Sequence, residues 1–193
     1  LIATLAITPL RTITRWNALI LARRILGNFA LAYALAHVAA FVVSEGVVKA
    51  ATEIALRVYL SIGFAALAML IALGVTSNDM ALRRLGAATW RRLHRLIYVA
   101  TALGLLHYFL QTKNDVTAAL TPAGLFILLM LWRGFNALKL GAHPLALIAL
   151  AVVAGAATAG LEVAWYFWRS GLAPLAVLAQ NLDFEETIRP PWI

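Results

Sequence analysis

The sequence predicts an all-α protein, a polytopic transmembrane bundle of about six helices, and three observations carry that prediction. Hydrophobic residues make up 63% of the 193 and charged residues only 12%, with a mean hydropathy of +0.87. A soluble domain of this size cannot bury that much apolar surface, so the surrounding solvent is lipid. The apolar residues fall into runs approaching the roughly 20 residues that a bilayer core of about 30 Å requires. The net charge of +8 sits in short connections between those runs. That is the distribution of a multi-pass membrane protein, not of a nucleic-acid-binding surface. The chain has no cysteine, which excludes disulfides, thiolate metal sites, iron–sulfur clusters and cysteine nucleophiles.

The runs follow in order. Residues 1–10 read as the tail of a membrane helix that begins earlier, since they are apolar and nothing in them resembles a cleavable signal peptide. Ile25 to Val43 and Val58 to Thr76 are free of charge throughout. Leu96 to Leu110 is shorter and reaches the bilayer edges by snorkelling of its flanking arginines. Val116 to Trp132 carries Pro122 near its beginning, where a helix tolerates proline. Leu140 to Trp168 is long and carries Glu162 towards its end. No soluble domain is visible, and no G-x-G-x-x-G fingerprint follows a strand.

Alternate connections differ in charge. One set holds Arg11, Arg15, Arg23, Arg24, Arg83, Arg84, Arg91, Arg92, Arg95, Arg133 and Lys139, opposed only by Asp79. The other holds Lys49, Arg57, Lys113, Arg169 and Arg189 against Glu45, Glu53, Asp115, Glu162, Asp183, Glu185 and Glu186. Eleven basic residues against five place the first set in the cytoplasm. The helices entered near Arg24 and His94 then run outward, and the tail after Trp168 is external.

Four histidines remain: His37, His94, His107 and His143. A lone imidazole in a membrane helix is often only a core group bonded to a neighbouring helix. Ionisable groups in the bilayer are nevertheless expensive and usually functional. His37 lies thirteen residues after Arg24, and His107 thirteen after His94, about 20 Å along a helix axis in each case. Both helices run outward, so His37 and His107 fall at one depth, and two facing imidazoles suit the axial positions of a haem iron. Ala32, Ala34, Ala36, Ala39, Ala40, Ala100, Ala102 and Gly104 leave room for a flat macrocycle. The inner level holds His94 opposite Arg23 or Arg24. Arginine stays protonated and cannot ligate iron, but it can clamp a haem propionate, or simply anchor the helix at the headgroups. A metal-ion transport site would want carboxylates in the same plane, and no run between Ile25 and Trp132 contains one.

Taken as an ordered set, LIATLAITPLR (1–11), ARRILGNFALAYALAH (22–37), VYLSIGFAALAMLIALGVTSND (58–79) and RRLGAATWRRLHRLIYVATALGLLHY (83–108) resemble the MsrQ (YedZ) family. The resemblance continues through the apolar helix to Leu138 and covers about seven-tenths of the chain. That family consists of haem-binding membrane subunits of a periplasmic methionine sulfoxide reductase system. It belongs to the wider ferric-reductase-like transmembrane group. The resemblance implies a b-type haem protein of the bacterial inner membrane that passes electrons to a periplasmic molybdenum enzyme, MsrP, which returns oxidised methionine to the thioether. The family's haem histidines carry over onto His37, His94 and His107. Where the wider group has a fourth histidine this chain has Arg23, so one haem or two is left open. Family members are also described with flavin mononucleotide (FMN), and with the quinone pool or a cytosolic flavin reductase as electron donor.

The expected organisation is therefore a ferric-reductase-like haem-binding domain over residues 1–138, then an additional apolar helix and an interfacial acidic tail over 139–193. His143, just before Pro144, reads as an interfacial helix-entry residue. The expected role is electron supply rather than bond-making catalysis, with electrons passing from the cytoplasmic face past His94 to the outer site. The rival readings are an independent ferric-reductase-like protein with another acceptor and a non-redox membrane subunit whose histidines only pack.

Overall fold

The computed structural model describes residues 1–112, 115–140, 143–182 and 189–192. Lys113, Asp183, Glu185 and Glu186, counted above among the outer charges, lie outside the described residues. Those described form α1 (Ile2–Thr14), α2 (Leu19–Glu45), α3 (Val47–Leu56), α4 (Val58–Val75), α5 (Asp79–Leu93), α6 (Leu96–Gln111), α7 (Thr117–Ala137), α8 (Pro144–Ser170) and α9 (Pro174–Asn181), with a 3-10 turn at Pro190–Trp192. No strand occurs among them. Helices α2, α4, α7 and α8 are long and apolar enough to cross a bilayer, and α5 with α6, bent by 45°, makes a fifth crossing if the pair is one span. Each apolar run of the sequence coincides with a helix among the described residues, the last beginning at Pro144 and not at Leu140, so the all-α polytopic fold holds.

Three further helices, α3, α5 and α9, raise the number above six, because each is polar, amphipathic or short and so escapes a hydropathy window. In α3 the charges recur at helical spacing: Lys49 pairs with Glu45, and Arg57 with Glu53. The carboxylate of Glu45 bonds the Lys49 ammonium and holds its pKa above the ordinary lysine value. Gly46 separates α2 from α3 at φ 79°, a conformation that a side chain resists. Helix α5 starts at an Asn78 cap, whose side chain accepts from the Ala81 amide at 2.8 Å. Its backbone breaks at Gly86, φ 75°, so its two halves present their arginines separately.

Packing divides the chain into two compact units. The first comprises Leu1, Ala3–Ile7 and residues 17–111. Here α4 packs most extensively on α6 and also contacts α2 and α3. Leu70, Leu73 and Ala100 form its buried centre, covered by Leu31, Ala34, Met69, Leu96 and Ile97. Helix α2 has no fully buried residue, as expected of a helix with a wide face toward lipid or a bound group.

The second unit comprises Ile2, Thr8–Trp16 and residues 112–193. Small residues bring α7 and α8 together: a methyl on Gly124 would lie 2.9 Å from the Thr158 hydroxyl, and Ala123, Ala154, Gly155 and Ala159 are buried nearby. Close approach through small side chains is how membrane helices associate when lipid removes the hydrophobic drive. Glu162, read from sequence as one of the outer-side charges, is completely buried on α8. Its carboxylate accepts from Asn181 Nδ2 at 2.8 Å and from Arg189 Nη1 at 3.2 Å. The charge is tolerated there because the end of the chain folds back on α8 and supplies both partners.

Candidate functional site

Two cavities open within the first unit, and they take in all the residues proposed from the sequence as cofactor-binding. The first, about 280 Å³, is lined by His37 and Ala34 of α2, Tyr59 and Gly63 of α4, and Gly104 and His107 of α6, among others. No charged side chain lines it among the described residues. A methyl on Gly104 would meet nothing within 4 Å, so this wall of the cavity is open.

His37 is exposed and His107 half-buried. The His107 ring is braced. Its Nδ1 lies 2.7 Å from the Tyr59 carbonyl oxygen, which can only accept, so Nδ1 carries the proton and donates. The ring also stacks near the Tyr59 ring, centroids 6.2 Å apart at 26°. Fixing the proton on Nδ1 leaves Nε2 as a lone pair, the tautomer that binds a metal. Two imidazoles, one of them in the ligating tautomer, on an uncharged cavity fit bis-histidine haem ligation.

The second cavity, about 350 Å³, is lined by Thr4, Arg23, Arg24, Gly27, Asn28, Ser77, Trp90 and His94, together with apolar residues. His94 ends α5, in the turn before α6. The thirteen residues from His94 to His107 therefore cross a bend rather than one continuous helix, because α5 closes at His94 before α6 begins at Leu96. The His94 ring stacks on Trp90 at 3.7 Å, with Nδ1 3.1 Å from the Trp90 carbonyl and Nε2 3.3 Å from Ser77 Oγ. Trp90 is itself held by a bond from its indole N–H to the Thr76 carbonyl, 2.8 Å.

The two arginines of this level differ. Arg24 donates to Asp79 at 2.8 Å, whereas Arg23 makes no ion pair among the described residues. The Thr4 hydroxyl is buried with no partner among them, and a methyl on Gly27 would meet nothing within 4 Å. Uncommitted donors beside a histidine and a paired arginine suit the acidic edge of a cofactor.

His143 lines neither cavity and caps the start of α8 in extended backbone, immediately before Pro144. No cluster of three or more His, Cys, Asp or Glu occurs among the described residues. Sequence reasoning passed over Tyr59, Gly63 and Ser77. Tyr59 and His107 are 48 residues apart, so no local pattern could have linked them. The same reasoning passed over Trp90 as well, although that residue stands one helical turn before His94.

Comparison with known proteins shows the family. The family described as "Ferric reductase like transmembrane component" matches residues 1–105. A relative from Herminiimonas arsenicoxydans, a protein-methionine-sulfoxide reductase heme-binding subunit MsrQ, is 39% identical over 137 residues, 68% of this chain and 63% of its own length. Proteins of the same name from Rhodospirillum rubrum and Ralstonia nicotianae are 39% identical over 138 residues and 38% over 158. The latter alignment covers 75% of this chain and 73% of the relative. The chain thus spans a little under two thirds of the first relative's length. No solved structure matches it. A multi-pass helical membrane chain with histidines of two helices lining one cavity, it belongs to the ferric-reductase-like transmembrane family, in the MsrQ branch.

Proposed function

We propose that the chain is the haem b membrane subunit of a methionine sulfoxide reductase system, carrying electrons across the bacterial inner membrane. The single observation behind this reading is the placement of His37 and His107 on one uncharged cavity, with His107 in the ligating tautomer. His37 and His107 would hold the iron, and His94 marks a second, inner position beside Arg23 and Arg24. Haem bound there would supply a one-electron carrier at fixed depth. Arg23 would hold a propionate, Arg24 is steadied by Asp79, and the apolar walls exclude water.

The acceptor is a periplasmic molybdenum enzyme of the MsrP kind, and the donor is the quinone pool or a cytosolic flavin reductase. These assignments, and FMN as a further cofactor, rest on the family. On this reading residues 1–138 carry the haem function, and 139–193 add a helix and a tail. The subunit makes no bonds itself.

The test is ligand substitution in the full chain purified from membranes. His37→Ala and His107→Ala should each remove the outer haem from the visible spectrum, and His143→Ala should leave it intact. Equal behaviour of His107→Ala and His143→Ala would overturn the assignment. Reduction of ferric chelates in place of a methionine sulfoxide reductase partner would favour an independent ferric-reductase-like role.

A further inference from the structure

Position 63 is where the outer site is most tightly determined, and no charged or ligating group stands there. In a helix the carbonyl of residue i points toward residue i+4, and each Cα–Cβ bond tilts back toward the N-terminus. A side chain at 63 would therefore lean over the carbonyl of residue 59. That carbonyl has a second lone pair beyond its helical bond. It accepts the His107 Nδ1–H at 2.7 Å. The approach is open only because residue 63 is glycine. A Cβ there would lie 2.8 Å from Nδ1, 3.0 Å from Cε1 and 3.1 Å from Cγ of the imidazole. Three ring atoms at that range mean that the ring rests flat against the backbone of α4, with the Tyr59 ring beside it. The ring cannot retreat from a new methyl without stretching the bond to Tyr59.

His37, across the cavity, has no such brace: it makes no hydrogen bond among the described residues, and no glycine backs its ring. The two histidines are thus unequal. We propose that Gly63 is a positioning residue, which exposes the Tyr59 carbonyl so that His107 becomes the oriented, more basic axial ligand of the outer iron. This rests on the haem reading above and extends it to a residue that touches neither iron nor macrocycle. A ligand imidazole that donates its remote N–H to a carbonyl is a stronger donor, and losing such a partner costs on the order of 10–100-fold in metal affinity.

The experiment uses the full chain in detergent. Gly63→Ala should lower haem affinity by on the order of 10–100-fold and raise the reduction potential of the outer haem. Helix content should be unchanged by circular dichroism. In a His107→Ala background, which holds no outer haem, the same substitution should leave the thermal unfolding midpoint of the haem-free protein unchanged, because the ring it displaces is gone. A fall in that midpoint as large as the one in the haem-free His107 protein would show Gly63 to be a packing residue only. If Gly63→Ala does not accumulate, electron spin-echo envelope modulation of the wild-type ferric protein decides. It should resolve two inequivalent remote imidazole nitrogens, one strongly hydrogen-bonded and one not. Two equivalent nitrogens would overturn the proposal. Wild type without any haem band would instead defeat the haem reading itself, so the two failures are distinguishable.

Discussion

Glu162→Gln tests the one fully buried carboxylate among the described residues of the second unit. The native carboxylate accepts from Asn181 at 2.8 Å and from Arg189 at 3.2 Å, with none of its side chain accessible and 28% of that of Arg189 exposed. Glutamine keeps one acceptor oxygen for Asn181 and turns an amide NH₂ toward the guanidinium. Breaking a buried pair by removing one partner costs about 3–5 kcal/mol, and a hydrogen bond to a charged group contributes about 1.5–3 kcal/mol. Arg189 is partly solvated and recovers some water, so the loss should fall near 2–3 kcal/mol. In a chain of this size that lowers the unfolding midpoint by roughly 4–12 °C. Arg189→Gln should be worse, about 3–5 kcal/mol, because the carboxylate it strands has no access to solvent. The double variant should lose less than the sum of the two. Thermal unfolding in dodecyl maltoside, followed by tryptophan fluorescence, reads all three. Equal losses from the two single variants, or strict additivity in the double, would refute the buried-pair account.

The glycines give a second comparison. Gly124→Ala drives a methyl to 2.9 Å from Thr158 Oγ1. That buried, β-branched side chain is already bonded to the Ala154 carbonyl, so overpacking should cost about 1–3 kcal/mol. Gly74→Ala meets only the terminal methyl of Leu31, which can rotate away, and its midpoint should fall by less. The same unfolding assay ranks them, and the reverse order would contradict the packing described. Asp79→Asn removes the partner of Arg24 from an exposed pair, 52% and 68% accessible. It should leave the midpoint unchanged within error, since such pairs are screened by solvent.

What the sequence made legible follows from the physics of its patterns. Hydropathy located α2, α4, α6, α7 and α8 because a bilayer demands long uncharged stretches. It passed over α3, whose identity lies in the four-residue spacing of Glu45, Lys49, Glu53 and Arg57, and over α5, whose arginines keep it polar. The thirteen-residue spacings led to the expectation of two levels, and His37 with His107 line one cavity while Arg23, Arg24 and His94 line another. The interval from His94 to His107 is nevertheless not a single helical rise, because α5 closes before α6 begins. Spacing could not anticipate the brace on His107, which depends on the register of α4 against α6. Nor could it foresee the burial of Glu162, which depends on the chain end returning to α8.

The central claim is that the chain holds haem between His37 and His107. The most direct measurement is the dithionite-reduced minus oxidised visible spectrum of the wild-type protein purified from membranes of cells supplied with haem precursors. A b-type α-band is expected, with a six-coordinate low-spin oxidised form. A correctly folded protein showing no α-band, or only a five-coordinate high-spin spectrum, would contradict it.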